Sequence, residues 1–128
     1  DFILENLKPN IKTNFFFRED GPTIVKRRYI HRYTNQKLFE INFIDDRFIN
    51  LALEKKIIDN LVPLVPQFDL VLVSDFGHGF ITENIFRAIE GKAKVLAINT
   101  QTNGANAGYN LITKYFEFKQ YTTKHTTH

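Results

Sequence analysis

Leu70-Val71-Leu72-Val73-Ser74-Asp75-Phe76-Gly77-His78-Gly79 is the stretch on which the fold turns. Its first four residues are continuously apolar and lack the alternation of a strand with one wet face. Runs of this kind suit a parallel strand covered on both sides. Ser74 and Asp75 close the run, and Gly77 and Gly79 mark a loop. Thr82 then stands at a cap position ahead of a short helix, Glu83–Glu90, whose Ile85, Phe86 and Ile89 turn inward, and Gly91 supplies the stop. A second apolar run, 93–98, ends at Asn99. Strand, helix and strand in roughly thirty residues make a βαβ unit. The carboxyl half is therefore expected to be α/β with a parallel sheet.

Two polar loops should meet at one edge of that sheet. Residues 75–79 follow the first strand, and the polar segment 100–108, with Gln101, Asn103 and two glycines, follows the second. Open α/β sheets bind ligands at the carboxyl ends of their strands. The two loops are expected to lie side by side there.

Working back from Leu70, Pro63 and Pro66 should end a helix that Asp45 or Asp46 caps and that runs to about Val62. Phe48, Leu51, Leu53, Ile57, Ile58 and Leu61 would form its apolar stripe. Before it, residues 23–33 and Lys37–Phe43 read as two strands of a hairpin, turning at Thr34-Asn35-Gln36. Alternation puts Ile24, Lys26, Arg28 and Ile30 on one face of the first strand. In the second, Leu38, Glu40, Asn42 and Ile44 share one face, and Phe39, Ile41 and Phe43 the other. Residues 14–17 are a possible short strand and 2–7 a short helix ended ahead of Pro9.

Composition narrows the function classes. Apolar residues at 43% and charged residues at 24% are those of an ordinary globular domain. No apolar run approaches the ~18–20 residues of a membrane span, and residues 1–10 show no basic–apolar–small leader pattern. With no cysteine there is neither a disulfide framework nor a thiolate site, which fits a cytoplasmic compartment. The chain has no methionine and starts at Asp1, which reads as an excised piece of a longer protein. The net charge of +3 permits an anionic ligand without demanding nucleic acid. The basic residues Lys26, Arg27, Arg28, Arg32 and Lys37 form one local strip.

Four segments taken together resemble the PfkB carbohydrate kinase family of the ribokinase fold. They are Thr23-Ile24-Val25-Lys26-Arg27-Arg28-Tyr29, Val73-Ser74-Asp75-Phe76-Gly77-His78-Gly79, Ala97-Ile98-Asn99-Thr100-Gln101-Thr102-Asn103 and Gly108-Tyr109-Asn110-Leu111-Ile112-Thr113-Lys114-Tyr115. The nearest branch is the heptose-phosphate kinase type, often fused to a nucleotidyltransferase domain. The resemblance covers about residues 1–115 and implies a doubly wound parallel sheet of which this chain is a middle portion. Residues 15–44 would be the region of a β-hairpin lid, 45–115 part of the body, and 116–128 a tail unlike the family. ATP and Mg are the cofactors it implies for the parent protein, a sugar or sugar phosphate the ligand, and lid-to-lid contact a route to a homodimer. His78 stands where relatives carry lysine. The family's Gly-Ala-Gly-Asp segment, which holds the catalytic base and the anion hole, is absent, as is its Asn-x-x-Glu segment. No catalytic residue is therefore expected in this chain.

The candidate ligand-binding residues are Lys26, Arg28, Asp75, Gly77, Gly79, Asn99, Gln101 and Asn103. Lysine and arginine suit phosphate; the bland reading of Lys26, Arg28 and Arg32 is a solvated lid face. Asp75 would orient a hydroxyl or a metal-bound water, or instead cap the 77–79 turn through its side chain. Asn99, Gln101 and Asn103 lack acid–base capacity and could only bind or position, or else close their loop on itself. His31, His78, His125 and His128 match no metal-ligand spacing, so no metal site is expected. The phenylalanines read as core. The functional expectation is the lid and sugar-side cleft of an ATP-dependent sugar kinase; the alternative is a non-catalytic α/β binding or dimerisation module. A nucleic-acid surface using Tyr29 and Tyr33 rests on too few charges.

Overall fold

The computed structural model describes residues 2–101 and 110–115. Helix α1 (Phe2–Asn6) leads to an irregular stretch, then to strands β1 (Val25–Ile30) and β2 (Lys37–Phe43). Helix α2 (Leu51–Leu64) and a 3-10 turn (Val65–Gln67) precede β3 (Val71–Asp75), α3 (Glu83–Glu90) and β4 (Leu96–Thr100). The chain is mixed α/β with two separate two-stranded sheets: β1–β2 antiparallel and β3–β4 parallel. Among the described residues no helix is long and apolar enough to cross a membrane.

The βαβ unit forms as the sequence indicates. Val71 lies opposite Leu96 and Asp75 opposite Thr100, in unbroken parallel register. Thr82 caps α3, its hydroxyl accepting from the Ile85 amide at 3.3 Å, and Gly91 ends the helix. Ile85, Phe86 and Ile89 are buried. Ile85 and Ile89 meet Ile57 of α2, Val65, Val73 of β3 and Ile49 in one small core, while Phe86 packs against Tyr115.

Several boundaries differ from the sequence reading. The cap of α2 is Asn50, whose side chain accepts from the Leu53 amide at 2.9 Å. Asp45 and Asp46 do not cap it. Asp45 instead closes a local turn, its carboxylate accepting from the Arg47 amide at 3.0 Å. Pro63 sits inside the helix rather than ending it. A proline removes one backbone donor, and the bereft carbonyl belongs to Asp59, an exposed residue that water can reach. Phe48 and Leu51 therefore fall at or before the first turn and are exposed, while Ile57 keeps its place in the core. Residues 14–17 form no strand.

The expectation that β3 is covered on both faces fails. Val73 is buried against the helices and Asp75 beneath Gly77 and residues 110–115, but Leu72 is 65% exposed on the other side. The phenylalanines also differ from expectation: Phe86 is fully buried, whereas Phe2, Phe17, Phe39, Phe43, Phe48, Phe68 and Phe76 are exposed. Two helices cover only one face of a two-stranded sheet, and nothing in the described residues covers the other.

The hairpin stands apart from the parallel pair, as the sequence indicates. Lys26 lies opposite Asn42 and Arg28 opposite Glu40, on one face; Val25, Arg27 and Tyr29 lie opposite Phe43, Ile41 and Phe39 on the other. A bulge after Tyr29 shifts the register so that Ile30 meets Lys37. Tyr29 stacks on Phe39 with centroids 4.4 Å apart, and Arg28 pairs with Glu40 at 2.7 Å. Asn35 takes a left-handed φ of 54° in the turn, a conformation asparagine tolerates.

The unequal cover gives a direct expectation. Ile85→Ala should lower the unfolding free energy by ~2–5 kcal/mol, as a cavity in a filled core does. Leu72→Ala should change it by less than ~1 kcal/mol, as at a bare surface. Urea unfolding followed by circular dichroism checks both; equal losses would mean that the outer face of β3 is covered after all.

Candidate functional site

The site is built around Asp75, the last residue of β3. Its side chain is 4% exposed and both carboxylate oxygens are engaged. Oδ1 accepts from the Gly77 amide at 2.9 Å. Oδ2 accepts from the Tyr115 hydroxyl at 2.7 Å and from Lys114 Nζ. The Asp75 carbonyl accepts from the Gln101 amide and from Asn110 Nδ2, each at 2.9 Å. Lys114 also donates to Asn110 Oδ1 at 2.7 Å. Burial pushes the Asp75 carboxyl up, but the bonds from Lys114, Gly77 and Tyr115 outweigh it and hold the group below its ordinary range. Burial, together with the adjacent carboxylate, drives the Tyr115 hydroxyl well above the usual phenol range, so it remains a donor.

This arrangement joins the ends of β3 and β4 and seats residues 110–115 across them. Gly77 takes φ +77°, and a Cβ there would lie 2.8 Å from Asn110 Cβ. Gly79 takes φ +72°, and its Cβ would lie 2.1 Å from the Arg47 carbonyl oxygen. Its own carbonyl accepts from the Ile49 amide at 3.1 Å. Gly79 is thus required by a close approach of backbone and Gly77 by its left-handed φ and the Asn110 side chain packed on it.

A second network fixes the base of the hairpin. Arg18 Nε donates to Asp20 at 2.8 Å, and Nη1 donates to the Arg47 carbonyl at 2.8 Å and that of Asp45 at 3.3 Å. Arg18 Nη2 is buried without a hydrogen bond and lies 3.6 Å from Asp45 Oδ2. Arg47 Nη2 binds Asp45 at 2.6 Å and the Asp20 carbonyl at 3.1 Å. The Arg47 bonds, with the Arg18 charge, hold the Asp45 carboxyl far below its usual range. The chain entering β1 and the chain leaving β2 are thereby tied to each other. Gly79 ties the same segment to the loop after β3.

Between the two sheets lies a cleft of about 580 Å³. The hairpin side contributes Pro22, Ile24 and Lys26, and the body side contributes Ser74, Asp75, Phe76, His78, Phe80 and Ile81, with Arg18 and Asp45 at the hinge. The structure thus brings Lys26 and Asp75 together, with Gly77 and Gly79 shaping the loop between them. Arg28 shares the face of Lys26 but is engaged by Glu40 and lies outside the lining. Asn99 lies beside Ser74 in register and Gln101 beyond Thr100; both are exposed and neither lines the cleft. Asn103 lies outside the described residues, so the second loop is seen only as far as Gln101.

Sequence reasoning missed Arg18, Asp45, Phe76, Phe80 and Ile81 as lining residues, and Lys114 and Tyr115 as partners of Asp75. Positions 18, 45 and 78 share no period or motif, so no spacing rule links them. The turn-capping alternative for Asp75 is the arrangement present. No group of three histidine, aspartate or glutamate side chains suited to a metal ion occurs among the described residues. Compared with protein families, with curated proteins and with solved structures, the chain matches none.

The Asp75 cluster sets a pH dependence. A carboxyl depressed by folding contributes stability above its unfolded pKa and loses it as pH falls through its folded pKa. Asp75→Asn should therefore flatten the acid limb of stability, while Lys114→Met should cost ~3–5 kcal/mol near neutrality by leaving a buried charge unpaired. Urea midpoints measured from pH 3 to pH 7 would show both; parallel acid limbs for wild type and Asp75→Asn would contradict the assignment.

Proposed function

We propose that this chain is the lid and sugar-side portion of an ATP-dependent carbohydrate kinase of the ribokinase fold. The observation that carries this reading is the cleft, in which Lys26 and Ile24 of the hairpin face the loop at the carboxyl end of a parallel strand. A hairpin over a sheet edge is how a lid covers a ligand, and the four family-like segments run in the family's order. The ligand would be a sugar or a sugar phosphate, and the parent protein would be cytoplasmic and use ATP with Mg. Phosphoryl transfer depends mostly on positioning and on neutralising charge. This chain would contribute the first: Phe76 and Phe80 offer flat apolar surface to a ring, and Lys26 offers one charge.

The described residues do not fit MgATP. The Asp75 carboxylate is fully occupied by Lys114, Tyr115 and the Gly77 amide, and no anion hole accompanies it. No step of the transfer is therefore assigned to residues of this chain. In the presence of MgATP and a panel of hexoses, pentoses and their phosphates, the 128-residue chain should show ligand-induced amide shifts around Lys26 and Phe76. It should show no turnover, since base and charge stabilisation are both missing. The absence of shifts with every sugar tested would overturn the carbohydrate reading, and sugar-dependent ATP consumption would overturn the division of labour.

One observation favours a second reading, a dimerisation module, which is compatible with the first. Lys26 faces the cleft, so the opposite hairpin face points away from it. That face carries Val25, Tyr29, Phe39, Ile41 and Phe43, all 38–52% exposed. A lone hairpin is marginal in water, and an apolar face of this kind marks an interaction surface. A second copy of the chain would cover it. Sedimentation at micromolar concentration should show a dimer that Phe39→Glu dissociates; a monomer at all concentrations would exclude it.

A further inference from the structure

Strand β1 has an edge that nothing pairs. The hairpin sheet has only two strands, so each of them offers one open edge. Among the described residues no backbone hydrogen bond beyond the ladder with β2 involves Val25–Ile30, and all 6 residues of the strand are exposed. An edge of this kind presents unpaired N–H and C=O groups to any extended chain.

The charge of that edge has one sign. Lys26, Arg27 and Arg28 stand in a row, and Glu40 is the one acid between residues 25 and 43. Glu40 is already taken, by Arg28 at 2.7 Å and by Lys37 at 3.4 Å. Lys26 and Arg27 have no ion-pair partner among the described residues. Side chains alternate along a strand, so Lys26 and Arg28 lie on the cleft face and Arg27, between Val25 and Tyr29, on the other. The edge of β1 is therefore basic on both faces. Strand β2 differs, since Lys37 and Glu40 balance each other. Like charges set side by side across a ladder destabilise it. Two copies joined through β1 would place cation beside cation, so the basic row disfavours pairing with itself and leaves acidic chains as the strands that fit.

We propose that the open edge of β1 takes an extended acidic peptide segment of another protein as a third strand. Main-chain hydrogen bonds supply the affinity in such additions, and alternate side chains supply the selectivity. Acids beside Lys26 and Arg27 form a cross-strand pair on each face. Apolar residues beside Val25 and Tyr29 rest on side chains that are 43% and 38% exposed. The segment so defined has acids at its centre and an apolar residue on either flank. This interaction needs no ligand in the cleft and is independent of the carbohydrate reading.

The test is fluorescence anisotropy of the labelled peptide Thr-Val-Glu-Glu-Glu-Val-Thr titrated with the whole chain. It should bind with a Kd below ~1 mM and slow amide exchange along Val25–Ile30, and the same peptide with lysine for glutamate should not bind. Only alternate amides of an added strand face the edge. Of two peptides N-methylated on the two alternate sets, one should therefore lose at least ~10-fold in affinity and the other keep it. Arg27→Glu should weaken binding at least ~5-fold and Arg27→Lys should preserve it. Lys26→Glu, on the other face of the strand, supplies an independent loss should a change at position 27 disturb the hairpin. No binding of the acidic peptide would overturn the inference. Equal binding of both N-methylated forms would overturn it too, because charge would then attract without a strand being added. So would an Arg27→Glu variant that binds as tightly as wild type, or a single-stranded oligothymidylate that binds more tightly than the peptide and displaces it.

Discussion

The buried carboxylate of Asp75 is the constraint on which the rest of the site depends. A charge removed from water must be paired and hydrogen-bonded or it destabilises the fold. Asp75 meets that condition only when Gly77 has turned back over it and Lys114 and Tyr115 have arrived from forty residues later in the chain. Its backbone carbonyl meanwhile binds Gln101 and Asn110. One residue therefore fixes the end of β3, the first turn of its loop, the exit from β4 and the position of residues 110–115. Tyr115 extends the arrangement into the core by tilting against Phe86, with ring centroids 4.8 Å apart.

The cleft follows from a second constraint, the way the hairpin is anchored. The two sheets share no ladder, so only side chains and close backbone contacts set their relation. Arg18 and Arg47 brace the base of the hairpin by donating to backbone carbonyls at 20, 45 and 47, and that base meets the loop after β3 where Gly79 lets the backbone of 46–47 come close and where His78 bonds Asp46. The hinge is charged and well bonded, while the cleft beside it is largely apolar.

The apolar surface is distributed unevenly. The small core between α2, α3 and β3 is complete, yet the outer face of the parallel pair and the far face of the hairpin both carry large exposed side chains. Parallel sheets are generally covered on both faces, and bare strand edges invite pairing with other chains.

The sequence by itself determined the local elements. The apolar run before Ser74, the Thr82 cap and the Gly91 stop gave the βαβ unit, because these signals act within a few residues and do not depend on the rest of the fold. Alternation likewise gave the two faces of the hairpin. It named Asp75, and the capping alternative for that residue, but not Lys114 and Tyr115, since nothing local links positions so far apart. It put the cap of α2 at Asp45 or Asp46, because aspartate before an apolar stripe is the usual signal. Only the tertiary structure gave Asp45 to Arg47 and Arg18, and left the cap to Asn50. Tertiary structure alone also decided which strand faces are covered, since burial is set by what packs opposite and not by the hydrophobicity of the residue itself. The meeting of Lys26, Asp75 and His78 around one cleft belongs to the same class: it depends on the loop after β3 meeting the segment that leaves β2, through the Ile49–Gly79 backbone bond and the His78–Asp46 contact.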